Sequence, residues 1–200
     1  MLLVSSVPGV AMGADPATLF KPCAACHGAK GEGNDRVGAP NIAAMPAWYV
    51  ARQLDNFAVG RRGAAASDTF GAQMRAAVGG VAASDREALA KYVAGLPNYS
   101  RGDTAPKAGD AERRAGATQY NAICSACHGA QGRGNQPLAA PPLAGVSPAY
   151  LARQLAAFRA GTRGAHADDT PGKQMATMAK TLRDAAAERN VIAYIATLKP

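Results

Sequence analysis

Cys23-Ala24-Ala25-Cys26-His27 and Cys124-Ser125-Ala126-Cys127-His128 share one form, and that form decides the fold. Each is the spacing at which a c-type haem is attached covalently: two sulfurs take up the vinyl groups as thioethers, and the adjoining imidazole supplies a proximal nitrogen to the iron. All four cysteines of the 200-residue chain lie in these two motifs. None is left for a disulfide, a nucleophile or another sulfur-ligated metal. A zinc ribbon is the competing reading of paired Cys-x-x-Cys, but its pairs stand about 15 to 20 residues apart. Here a whole further module separates them.

That module is a repeat. A shift of 101 positions lays Cys23 on Cys124, Pro40 on Pro141, Arg52-Gln53-Leu54 on Arg153-Gln154-Leu155, Phe57 on Phe158 and Gln73-Met74 on Gln174-Met175. Roughly half of the positions from cysteine to methionine match without a gap, which marks a duplicated unit. Each unit is at the small end for an independent core, and a covalently held porphyrin adds the missing apolar mass. The expected division is a leader over 1–14, a first domain over 15–97, a connector over 98–109 and a second domain over 110–200. The connector is rich in Pro, Gly, Ser and Asn and lacks apolar periodicity.

The sixth iron ligand follows from the repeat. There are three histidines, so once His27 and His128 are proximal ligands only His166 is spare, and two bis-histidine irons are impossible. Methionine is the usual alternative in electron-transfer cytochromes. Met74 lies 47 residues after His27, and Met175 lies 47 after His128. Met178 has Ala77 opposite it, Met45 has no methionine opposite it, and both are expected to fill gaps in the core or against the ring. His166 sits in a polar loop, where it is either an exposed histidine, a competitor of Met175 at the second haem or a docking contact.

Pro40 and Pro141 stand 13 residues after their histidines. Their carbonyls are candidates to accept the second ring N–H, the contact that fixes the tautomer of a ligating imidazole; a plain turn proline is the equal alternative. Residues 46–60 and 148–161 read as helices, the second opened by a Ser147 cap with Pro148 after it. On them, Tyr49, Arg52, Tyr150 and Arg153 carry polar tips suited to haem carboxylates, with a solvated helix face as the other reading. Ser84 and Glu87 form a capping-box pattern ahead of Leu89, Tyr92 and Val93, while Val191, Tyr194 and Ile195 close the second module. No stretch alternates as a sheet strand does, so the fold class is all-α.

Residues 1–14 are apolar and small, like the tail of a secretory signal without its basic start, and too short to span a bilayer, which takes about 20 residues. Covalent haem attachment in bacteria also belongs outside the cytoplasmic membrane, so the expected location is periplasmic, with membrane contact only peripheral. The chain carries 22 basic and 14 acidic residues; the first hundred residues are net +2 and the second hundred net +6. A basic second half steers toward an acidic docking surface. Scattered cations and an aromatic content of 6% argue against nucleic acid.

Through CAACHGAKGEG, CSACHGAQGRGN, the Tyr-x-x-x-Gln-Leu-x-x-Phe segments at Tyr49 and Tyr150, and the late methionines, the sequence resembles the dihaem cytochrome c4 family. The resemblance implies two class I cytochrome c domains related by a pseudo-twofold axis, each around one haem c with His/Met ligation, and propionates facing across the interface. It implies a periplasmic carrier of single electrons between respiratory donors and an acceptor such as an oxidase, with partners of the cytochrome bc1, oxidase or dehydrogenase kind. The alternative is the haem subunit of a dehydrogenase, as in flavocytochrome sulfide dehydrogenases. An enzyme is not expected, because a dihaem peroxidase needs an open coordination site and a thiosulfate-oxidising cytochrome typically a cysteine distal ligand. The short first helix and the lack of a second methionine after Met74 depart from the family pattern.

Overall fold

The computed structural model describes residues 14–43, 45–97 and 108–200. The expected leader, apart from Ala14, and most of the expected connector lie outside the described residues. The described residues form α-helices joined by glycine-rich turns, with two isolated β-bridges, Asn34 to Ala39 and Asn135 to Ala140, at equivalent places in the repeat.

The first half is built from α1 (Pro16–His27), α2 (Ala47–Ala58), α3 (Thr69–Val78) and α4 (Ala83–Ala94). Asp15 opens α1 by accepting from the backbone N–H of Ala17 and Thr18, and the helix runs on through the whole Cys23–His27 motif despite Pro22. The Ser84–Glu87 capping box does not form. α4 begins at Ala83 with Ala82 as its cap residue, so Ser84 already lies inside the helix. Phe20, Leu54, Phe57, Val78, Leu89 and Val93 form the core of this half.

The second half repeats the plan with α5 (Asp110–Gln119), a π turn over Tyr120–Cys124, α6 (Ser125–His128), α7 (Pro148–Ala160), α8 (Thr170–Ala179) and α9 (Ala185–Ile195). Ser147 caps α7 by accepting from Tyr150 N–H, with Pro148 next. Gly116 marks where α5 crosses α9: a Cβ there would lie 1.9 Å from the carbonyl oxygen of Asn190, so a larger residue would force the crossing apart. The two tyrosines of the closing helices are 102 positions apart rather than 101, and the extra residue falls in the turn between α8 and α9.

Met45 of the first half is buried among Tyr120, Val146, Leu151 and Val191 of the second. The halves are therefore joined by apolar packing as well as by polar contacts. Among the described residues no helix is long and apolar enough to cross a membrane.

Candidate haem sites and the boundary between them

Each Cys-x-x-Cys-His motif ends its helix so that the histidine faces inward. His27 and His128 are both buried. Nδ1 of His27 donates to the carbonyl of Pro40 at 2.8 Å, and Nδ1 of His128 donates to Pro141 at 2.8 Å. A carbonyl can only accept, so this pairing puts the proton on Nδ1 and leaves Nε2 with its lone pair. Burial pushes both imidazoles below their ordinary pKa, which the carbonyl contact partly opposes. A buried, neutral, oriented imidazole is what an iron ligand has to be.

No cysteine is in a disulfide; Cys26 and Cys127 are exposed, and Cys23 and Cys124 are half-buried. Met74 on α3 and Met175 on α8 are half-buried. Both methionines, both histidines and all four cysteines line one continuous cavity of about 380 Å³ that runs through both halves. Its walls are mainly apolar, with Leu54, Phe57 and Val78 on one side and Leu151, Phe158 and Leu182 on the other. Met178 lines the cavity too and is partly exposed; His166 is absent from the lining, is exposed, and its Nδ1 accepts from Asp168 N–H.

Tyr49, Arg52, Tyr150 and Arg153 also line the cavity, at the boundary between the halves. Arg52 donates to the carbonyl of Ala139 at 2.7 Å, and Arg153 to that of Gly38 at 2.8 Å. These are the same contact taken in both directions, since each residue of one pair is displaced by 101 from its mate in the other. The signature of a twofold relation is this reciprocity. Arg52 also stacks over Trp48 and Tyr49, and Arg153 over Phe70 and Tyr150.

A second reciprocal set was not singled out from sequence. Arg62 donates to Gln53 at 2.6 Å and to Gln154 across the boundary at 3.1 Å; Arg163 donates to Gln154 at 2.6 Å and to Gln53 at 3.3 Å. Arg62 is buried, and its Nε has no partner. Burial and the neighbouring Arg163 cation pull Arg62 below its ordinary pKa. Burial would raise the Tyr150 phenol, but the guanidiniums of Arg62, Arg163 and Arg153 outweigh it and hold the phenol low. Among the described residues neither Arg62 nor Arg163 has a carboxylate within ion-pair distance. A buried cation without an anion is costly, which applies to Arg62; Arg163 is only half-buried, and against the pull of burial Tyr49, Tyr150 and Asp169 raise it above its ordinary pKa. Arg62 is therefore the group whose charge a carboxylate from a ligand would balance. The Arg-Gly pair, which the repeat preserves at 62–63 and 163–164, was the available sequence signal.

The residues thus fit two covalently bound haems: thiols for the vinyl groups, a ligand-ready imidazole and a thioether in each half, an apolar slot, and cations for the propionates. The family model for cytochrome c matches residues 14–97 and again 114–199. The thiosulfate dehydrogenase electron acceptor of Stutzerimonas stutzeri (strain A1501) is 34% identical over 178 residues, covering 86% of this chain and 76% of the relative. A solved cytochrome c4 from Acidithiobacillus ferrooxidans superposes with a TM-score of 0.71 at 25% identity, over 90% of this chain and 99% of that one. A thiosulfate dehydrogenase from Marichromatium purpuratum superposes with a TM-score of 0.71 at 28% identity over 91% of this chain, which spans only 39% of that longer chain. Two motifs, two matches and one shared architecture lead to one conclusion: the chain belongs to the cytochrome c family, as a tandem, dihaem member of the cytochrome c4 type.

Proposed function

We propose that this protein is a periplasmic dihaem carrier that takes single electrons from a dehydrogenase or respiratory donor and passes them to an acceptor such as an oxidase, with His27 and Met74 as axial ligands of one iron and His128 and Met175 of the other. The observation that carries this reading is the continuity of the cavity: both His/Met pairs open onto the same space, so the two redox centres are neighbours. When bound, each haem supplies a one-electron ferric/ferrous couple whose potential is set by its axial ligands and surroundings.

The chain's own residues do the rest. Pro40 and Pro141 fix the imidazoles, and Met74 and Met175 would hold the irons together with them, which would leave no coordination place for a substrate. Apolar walls exclude water, and Arg62 and Arg163 balance the propionates. The net +6 of the second hundred residues favours a partner with an acidic docking surface.

The donor is open between a respiratory complex and a dehydrogenase. The 34% identical acceptor of thiosulfate dehydrogenase supports the second. Stopped-flow mixing of the oxidised protein with a thiosulfate dehydrogenase and thiosulfate should reduce both haems within catalytic turnover; reduction no faster than by thiosulfate alone removes that donor. The carrier reading itself is tested by redox titration, which should give two one-electron steps. At about 20 Å between irons and an effective dielectric near 20, one charge shifts the other by ~0.8 kcal/mol, a few tens of millivolts. Rapid carbon monoxide binding to the reduced protein would contradict full ligation.

A further inference from the structure

The two halves differ just ahead of the haem-binding motif. In the first, Phe20 packs on Tyr92 with ring centroids 5.5 Å apart, and Cys23 follows three positions later. In the second, Tyr120 packs on Tyr194 at 5.3 Å, and Cys124 follows four positions later. The aromatic pairs are the same contact, so the second half holds one extra residue between its aromatic anchor and its first cysteine. The π turn over Tyr120–Cys124 is where that residue is absorbed. A π turn inside a helix is uncommon and tends to mark a place with work to do.

Its consequence is visible at the other end of the motif. Tyr120 is fully buried, and its hydroxyl donates to the carbonyl of Gly129, the residue after His128, at 2.7 Å. That carbonyl also accepts from Gly132 N–H at 3.0 Å, while the carbonyl of His128 accepts from Gly134 N–H at 2.8 Å. Phe20 has no hydroxyl to offer Gly28. The corresponding turn of the first half is braced differently, by the Glu32 carboxylate accepting from Lys30 N–H at 2.8 Å; the residue opposite Glu32 is Arg133, which cannot accept.

We infer that Tyr120 is a positioning residue for His128: the extra residue of the π turn delivers its hydroxyl to the carbonyl that follows the ligand, and so pins the proximal loop of the second haem alone. The inference rests on the reading of His128 as an iron ligand. It makes the two haem sites unequal through their proximal supports rather than through their ligands. Burial pushes the Tyr120 phenol up to about 12, so the donor keeps its proton over the whole physiological range.

The test is Tyr120→Phe in the holoprotein, with Tyr194→Phe as control. A phenyl ring is accommodated at Phe20 in the equivalent contact, so packing is preserved. Tyr120→Phe should move the midpoint potential of one haem and leave the other in place, and should speed amide exchange at Gly132 and Gly134 by about fivefold over the parent, a free-energy change of ~1 kcal/mol. Tyr194→Phe should do neither. Unchanged potentials and exchange in Tyr120→Phe, with the low-spin spectrum of both haems intact, overturn this inference alone; so does an equal effect of Tyr194→Phe. A parent protein lacking a six-coordinate low-spin second haem overturns both this inference and the ligand assignment beneath it.

Discussion

A guanidinium nitrogen of Arg52 lies 2.7 Å from the carbonyl oxygen of Ala139, 87 residues along the chain and in the other half of the molecule. Arg153 returns the contact to Gly38 at 2.8 Å. A cation donating to a partly buried carbonyl contributes about 1.5 to 3 kcal/mol. Arg52→Ala and Arg153→Ala should each destabilise by about that amount in denaturant titration. The double variant should also bring the two haem waves closer to independence. Unchanged midpoints in both single variants would mean the arginines are not what holds the halves together.

Ala139 sits at φ +54°, while its repeat mate Gly38 sits at +69°. The left-handed region costs an L-residue roughly 1–2 kcal/mol, of which glycine's extra chain entropy gives back about 0.5–1 kcal/mol. Ala139→Gly should therefore stabilise the fold by a net ~0.5–1 kcal/mol and raise the thermal midpoint. Gly38→Ala should lower it by more, because its Cβ would also fall 2.3 Å from the Phe70 ring. Differential scanning calorimetry of the two variants reads both signs.

Removing a cation beside a haem makes the added electron less welcome, so potentials should fall. For Arg62→Met or Arg163→Met, a charge at about 10 Å in an effective dielectric near 20 is worth ~1.7 kcal/mol, or about 70 mV for one electron. Spectroelectrochemistry should find a drop of tens of millivolts, largest for Arg62, which is the more deeply buried. A rise, or no change, would show that the propionates lie elsewhere.

Met175→Ala should abolish the weak sulfur-to-iron band at the red edge for one haem and lower that haem's potential, because the soft thioether that favours ferrous iron is gone. Met74→Ala should do the same for the other haem. Met178→Ala, at the partly exposed methionine one turn further on, should leave both bands in place. An unaltered spectrum in Met175→Ala would move the ligand to Met178.

The cap of α7 and the proximal contacts of the histidines were legible because their determinants are local. Ser147 followed by Pro148 caps α7 as read, and the His27 and His128 rings meet the carbonyls 13 residues on in both halves. The capping box at Ser84 was misplaced because the helix begins two residues earlier, with Ala82 as its cap residue, a difference that depends on packing rather than on the pattern. α3 and α8, which present the methionines, were not foreseen as helices. Each is only 10 residues long, opened by Asp68 or Asp169 accepting from a glycine N–H three residues on. Arg62 and Arg163 escaped notice because a cation in a polar loop reads as solvated; only the approach of two glutamines from different halves marks them as buried.

By itself the sequence determined the chemistry: two covalent attachment motifs, their proximal histidines, a matched methionine in each half and the duplication, all written as short spacings in covalent order. Tertiary structure alone decided how the halves face each other, which arginines are spent on carbonyls and which meet glutamines of both halves, and that Tyr120 reaches Gly129 while Phe20 cannot. Those depend on groups brought together from up to 115 positions apart. Such contacts exist only once two apolar cores have fixed the distance between backbones.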